Sequence, residues 1–193
     1  MKLDVVEPAK SAPPTFVELA DSVLGRVASG DDAATRQFVL HYQDLVYGYL
    51  SRLLGARDQT SMVEDVAQDT FIRALGALER FDPTGPARVS TWILTIATRR
   101  AIDLLRRTRN HVDLDTVPLI AGERPDRRVI TRSVYRAIAS LSPEQRAAFL
   151  LREFYGLTVA ETAEALETAP GTVKSRVARA RIQLRASLRG RYE

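Results

Sequence analysis

Cysteine is absent from the 193-residue chain. That excludes disulfides and thiolate zinc sites, and it fits a reducing compartment. Histidine is almost absent too: His41 and His111 are too few for a histidine-based metal cluster. No apolar run approaches the roughly 18 residues of a membrane span, so no membrane insertion is expected. Met1–Ala12 lack the charged-then-apolar layout of a signal peptide, and a cytoplasmic protein is expected. A nucleotide-binding glycine loop, a metal constellation and a nucleophile–base motif are all missing, which argues against an enzyme and against any cofactor or metal. Alternating apolar–polar stretches of useful length are missing as well, so the fold class is all-α.

What remains is a chain with 45% apolar residues, enough for packed cores, and room for one ordinary domain or two small ones. The net charge is only +4, but the basic residues are clustered. Arg99, Arg100, Arg106, Arg107 and Arg109 form one group; Lys174, Arg176, Arg179, Arg181, Arg185, Arg189 and Arg191 form another. Two separated basic helices suit two contacts with a polyanion, although two solvated helix faces would give the same pattern. Residues 1–15 read as a loose Pro-rich tail and 16–108 as a helical domain. Residues 109–128, with Pro118, Gly122 and Pro125, read as a flexible linker, and 129–193 as a second small helical domain.

Helix punctuation supports this division. Ser142-Pro143-Glu144-Gln145 is a capping box with proline at the first helical position, and Gly156 suits the end of that helix. Thr158 with Glu161 makes a second capping box, and Ser90 is a candidate cap for the helix Ser90–Thr108. Helix Val159–Leu166, a turn Glu167–Pro170 and a helix from Gly171 to Leu188 form a helix-turn-helix. At 100° per residue Val173, Val177, Ala180, Leu184 and Leu188 form the stripe facing the core, with small Ala163 allowing close approach. Lys174, Ser175, Ala178 and Arg179 face outward, the arrangement a major-groove recognition helix needs. Glu167 stands where such turns favour glycine.

Two further helices are divided between faces. On Val63–Leu78, the residues Val66, Ala67, Thr70, Phe71, Ala74 and Leu78 face inward, while Asp65, Gln68, Asp69 and Ile72 share the opposite side. An isoleucine ringed by acids makes a docking patch or a solvated face. On Ser90–Thr108, Leu94, Ala97, Ala101, Leu104 and Leu105 face inward. Trp92, Ile96, Arg99, Asp103 and Arg106 share the other side, with Arg100 and Arg107 flanking. An aromatic ring beside arginines suits unpaired DNA, although a lone tryptophan such as Trp92 more often packs as core, here under the Phe81–Val89 loop, so the arginines carry the DNA reading.

The motifs Asp65-Val66-Ala67-Gln68-Asp69-Thr70-Phe71, Ser90-Thr91-Trp92-Ile93-Leu94-Thr95-Ile96-Ala97 and Gly171-Thr172-Val173-Lys174-Ser175-Arg176-Val177-Ala178-Arg179-Ala180-Arg181 closely resemble extracytoplasmic-function sigma factors of bacterial RNA polymerase, in order and separation. The resemblance implies a non-catalytic initiation factor. Its partners would be the beta-prime and beta subunits of core RNA polymerase, promoter DNA and an anti-sigma factor. Asp65, Gln68, Asp69 and Ile72 would dock on polymerase. Arg88, Trp92, Arg99, Arg100 and Arg106 would read and melt the minus-ten element. Thr172, Lys174, Ser175, Arg176, Ala178 and Arg179 would read the minus-thirty-five element. The linker would thread towards the polymerase cleft. Many members carry Asn where this chain has Arg99. A helix-turn-helix regulator acting without polymerase is the competing reading, and it accounts only for Thr158–Arg191.

Overall fold

The computed structural model of the chain describes residues 16–55, 60–83, 85, 87–107 and 133–189. Every regular element among them is helical. The proposed tail 1–15, the linker 109–128, and Arg109, His111 and Arg191 lie outside the described residues, as does the side chain of Arg189.

The first half contains α1 (Asp21–Ala28), α2 (Asp32–Leu54), α3 (Thr60–Ala77) with a 3-10 turn (Leu78–Arg80), and α4 (Val89–Arg107). Apolar residues recur at helical spacing along one side of α2, where Phe38, Tyr42, Val46, Tyr49, Leu50 and Leu53 are fully buried. Helices α3 and α4 pack on this stripe and on each other. All six residues assigned to the inner face of α3 are buried; on α4 Leu94, Ala97, Ala101 and Leu105 are buried, with Leu104 half-buried. The buried Thr98 hydroxyl pairs with that of Tyr49 at 2.6 Å, so neither polar group is stranded.

An N-terminal strap, Phe16–Leu19, crosses α2 before α1 begins. The Phe16 ring stacks on Tyr42 at 5.3 Å. The Tyr42 hydroxyl donates to Glu18 at 2.9 Å. The same carboxylate accepts the Ser90 amide at 3.2 Å and the Ser90 hydroxyl. Ser90 is therefore not the cap of α4: the helix starts at Val89, and Glu18, 72 residues earlier in sequence, supplies the acceptor for a first-turn amide.

The second half contains α5 (133–139), α6 (Pro143–Phe149), a π turn (Leu150–Phe154), α7 (Val159–Ala165) and α8 (Pro170–Arg189). Both expected capping boxes form, at Ser142–Gln145 and at Thr158–Glu161. The π turn, marked by the Tyr155 amide donating to the Leu150 carbonyl at 3.1 Å, has no counterpart in the periodicity of the sequence. Gly156 then closes it in the left-handed region at φ 69°.

The two halves are joined by packing. One continuous cluster of buried apolar side chains runs from α1–α4 into α5, α6, the π turn and α8. At the seam stands Arg146 on α6. Its guanidinium donates to Leu53 O at 2.8 Å, to Leu141 O at 3.1 Å and to Ala139 O. One cation thereby serves the C-terminal carbonyls of α2 and of α5. Burial draws its pKa down to about 10, which still leaves it charged at neutral pH. Its Nε has no hydrogen-bond partner among the described residues. Gly55, at φ 67°, ends α2 against this group: a Cβ there would sit 2.9 Å from Arg146 Nη1.

Candidate functional site

The helix-turn-helix is built as the sequence implies. Val173, Val177, Ala180 and Leu184 are buried, and Val173 and Val177 cluster with Ala163 and Ala148. Lys174, Ala178 and Arg179 are exposed on the opposite side of α8. Thr172, Ser175 and Arg176 are half-buried. The Ser175 hydroxyl donates back to Thr172 O at 2.9 Å, which engages its proton and leaves its lone pairs as acceptors. Arg181 is tied to Glu153 at 2.8 Å, while Lys174, Arg179 and Arg185 are exposed. Ile182, 67% exposed, extends that face by a turn. It was not among the expected contacts, though helical spacing from Ser175 and Ala178 could have found it.

The turn between α7 and α8 holds Glu167 at φ 48°, the one non-glycine residue with positive φ among the described residues. The conformation that favours glycine is thus kept, at roughly 1 kcal/mol.

On α3, Asp65, Gln68 and Ile72 are exposed, Ile72 by 61%, and Asp69 is half-buried beside them. The acids are not all free. Arg73 reaches Asp69 at 3.0 Å, and Arg100 from α4 reaches it more closely. Partial burial pushes the Asp69 carboxyl upward, but hydrogen bonds and charge from Arg73 and Arg100 outweigh it and hold the group below the ordinary carboxylate value.

On α4, Arg88 is exposed just ahead of the helix. Trp92 is half-buried with its ring 5.0 Å from Phe81, so the ring packs under the preceding loop. It also lines a groove of about 530 Å³ between α4 and the second half, together with Ile96, Arg99, Arg100, Arg106 and Leu166. Arg99 and Arg106 are exposed and Arg100 half-buried. Each arginine has an acidic neighbour. Arg100 pairs with Asp69 and lies 3.8 Å from Asp103. Arg99 lies 3.3 Å from Glu167, and Arg106 lies 3.7 Å from Glu144. The structure therefore brings Trp92, Arg99, Arg100 and Arg106 to one groove, leaves Arg88 outside its lining, and keeps α8 out of it as well. Glu144 and Glu167 were not expected as partners, because a pair between separate domains leaves no local sequence signal.

Comparisons with known proteins agree with this architecture. The family model for Sigma-70 region 2 matches residues 38–111, and that for Sigma-70, region 4 matches residues 131–184. The ECF RNA polymerase sigma factor SigC of Mycobacterium tuberculosis is 35% identical over 164 residues, 82% of this chain and 85% of that protein. The ECF RNA polymerase sigma-E factor of Escherichia coli is 33% identical over 181 residues, 85% of this chain and 92% of that protein. Among solved structures, CnrH in complex with the cytosolic domain of CnrY superposes with a TM-score of 0.62 at 27% identity, covering 88% of this chain and 97% of CnrH. The sigma factor RpoE of Bartonella quintana, solved with the anti-sigma factor NepR, shares the fold with a TM-score of 0.63 at 23% identity, covering 80% of this chain and 96% of that one. On these matches the chain belongs to the ECF RNA polymerase sigma factors of the sigma-70 family.

Proposed function

We propose that this sigma factor divides its work among three surfaces. As a member of the family, it directs promoter-specific initiation by core RNA polymerase. Region 2, taken as residues 16–108, docks on the beta-prime subunit through Asp65, Gln68, Asp69 and Ile72. Apolar Ile72 supplies contact area and the flanking acids supply orientation. The α4 groove takes the minus-ten strand, with Trp92 and Ile96 against bases and Arg88, Arg99, Arg100 and Arg106 against phosphates. Region 4, taken as residues 129–193, lays the outer face of α8, from Thr172 to Arg179, in the major groove of the minus-thirty-five element. It also contacts the beta subunit, and the linker 109–128 threads the cleft.

The observation that carries this reading is the outer face of α8: Lys174, Ala178 and Arg179 exposed together, opposite the buried Val173–Val177 stripe. The chain has no catalytic role of its own in this scheme and works in the cytoplasm. No helix among the described residues is long and apolar enough to cross a membrane. CnrH is held by the cytosolic domain of CnrY, and by that likeness a protein partner acting as an anti-sigma factor controls this chain.

The test is in vitro transcription with core polymerase on a promoter library, alongside co-purification with core enzyme. Asp65→Arg combined with Ile72→Ala should lose core binding at unchanged helicity. Asp65 is chosen because Asp69 also holds Arg73 and Arg100. Wild-type retention by that double variant would overturn the α3 patch as the docking surface, and binding to duplex promoters with no affinity for core enzyme would instead favour a regulator that acts alone.

A further inference from the structure

Three hydrogen-bond donors converge on one carboxylate of the N-terminal strap. Glu18 Oε2 accepts the Tyr42 hydroxyl at 2.9 Å and the Ser90 amide at 3.2 Å, and Oε1 accepts the Ser90 hydroxyl. Burial pushes the pKa of the Tyr42 hydroxyl upward, and the charge on Glu18 adds to the shift, so the phenol stays a donor. Two of the three bonds go to Ser90. That residue lies in the one turn of α4 bounded by Arg88 and Trp92, where the Trp92 amide donates to Arg88 O at 2.9 Å. A first helical turn leaves its amides without internal partners and frays. A grip on both the amide and the hydroxyl of Ser90 fixes the rotation of this turn as well as its position.

The strap does not need the carboxylate to stay in place. Phe16 stacks on Tyr42 at 5.3 Å and meets the edge of His41 at 5.1 Å. His41 Nε2 donates to Val17 O at 2.7 Å, and the Leu19 amide donates to the Tyr42 hydroxyl at 3.4 Å. Behind the strap, α1 packs on the 3-10 turn, and Leu24, Val27 and Leu78 share one buried cluster. Strap and α1 thus hold the chain on both sides of the Phe81–Val89 loop, at the 3-10 turn before it and at Ser90 after it. Phe81 and Trp92 meet at 5.0 Å between these anchors.

We propose that Glu18 is a positioning residue for the minus-ten strand: by holding Ser90 it sets where Arg88 and Trp92 stand, while touching no DNA itself. This inference rests on the assignment of the α4 groove to DNA. The chemistry of the place calls for a carboxylate. All three partners are donors, and an amide there would offer one oxygen and turn its own NH2 donors towards them. The negative charge also meets the positive end of the α4 dipole.

The experiment uses the full chain with core polymerase and a promoter recovered from the library. Glu18→Gln should form open complexes about two- to tenfold more slowly, the range for one lost hydrogen bond, with core binding and closed-complex affinity at wild type. Ser90→Ala, which removes one donor and leaves the carboxylate, should slow opening less. Together the two should cost less than the product of their single effects, because they cut the same contact. A carboxylate that only stabilised region 2 would lower the urea midpoint and leave the native protein unchanged. Acrylamide quenching of Trp92, the single tryptophan, should instead rise in Glu18→Gln without denaturant. If Glu18→Gln loses helicity, Ser90→Ala carries the test with the same two readouts. Wild-type opening rates, or slow opening that only follows the folded fraction with quenching unchanged, would overturn the positioning role. Arg99→Ala combined with Arg106→Ala checks the groove separately. Wild-type opening in that pair would overturn the assignment of α4 to DNA, and the role of Glu18 with it. Slow opening in that pair beside wild-type opening in the Glu18 and Ser90 variants would overturn the positioning role alone.

Discussion

Arg146 is the side chain whose loss should cost most. Replacing it with methionine keeps much of the volume and removes every donor. The carbonyls of Ala139 and Leu141 lie within region 4; the Leu53 carbonyl lies across the seam. A buried carbonyl left without a donor costs about 1–3 kcal/mol, so the two intra-region contacts alone set a loss of a few kcal/mol. Removing the guanidinium also relieves the desolvation of a buried cation, which offsets part of that loss. The net expectation is about 2–4 kcal/mol of destabilisation. For a chain of this size the middle of that range lowers the melting temperature by about 6–12 °C. Urea unfolding followed by far-ultraviolet circular dichroism gives the free energy. Trp92, the single tryptophan, reports region 2 by fluorescence in the same sample. Arg146→Lys should recover only part of the loss, because a point charge cannot serve three carbonyls as a planar fork does. If Arg146→Met unfolds within about 0.5 kcal/mol of the wild type, the margin of an ordinary surface substitution, the reasoning fails.

Two further outcomes are expected. Arg179→Ala should lose about 1–3 kcal/mol on a cognate minus-thirty-five duplex and flatten sequence preference, whereas Lys174→Ala should weaken all duplexes alike and reduce the salt slope; equal losses for Arg179→Ala on cognate and scrambled DNA would make it a phosphate contact only. Asp69 titrates below its ordinary value of 3.8 in the fold, so its stabilising contribution is complete above that value and is lost as pH falls through the folded pKa. Asp69→Asn should therefore be less stable at neutral pH by under about 1 kcal/mol, since the carboxylate is partly exposed. That gap should close under acid; denaturant titrations of both proteins across pH check it, and a gap unchanged below the carboxylate range would contradict the assignment.

Much of the fold was legible because its signals are local. Both capping boxes join residues three apart, and the inner stripes of α3, α4 and α8 follow from one helical period. The exposed face of α3 was legible for the same reason. The Ser90 assignment failed because the helix already begins at Val89 and an acid 72 residues away accepts from both the Ser90 amide and its hydroxyl, and no local rule contains that residue. Arg146 gave no sequence sign of burial: an arginine in the first turn after a capping box normally points to solvent, and only the meeting of α2 with α5 and α6 encloses it. The arginines of α4 were correctly placed on one side. Their acidic partners were invisible because Glu144 and Glu167 approach through a seam between regions. Glu167 itself was marked as a departure at a glycine position, but its pairing with Arg99 of α4 has no local signal.

The Glu18 strap bears on where a working fragment of region 2 can begin. The family model for region 2 starts at residue 38, inside α2, whereas the strap's contacts begin at Phe16. A fragment trimmed to the similar segment would cut α2 after its first turns, leave the Tyr42 hydroxyl without its acceptor and strip the carboxylate from the first turn of α4. That turn leads directly to Trp92 and the groove arginines. The family model's edge and mechanical integrity thus end at different places in this chain, and a dissection of region 2 has to follow the second boundary.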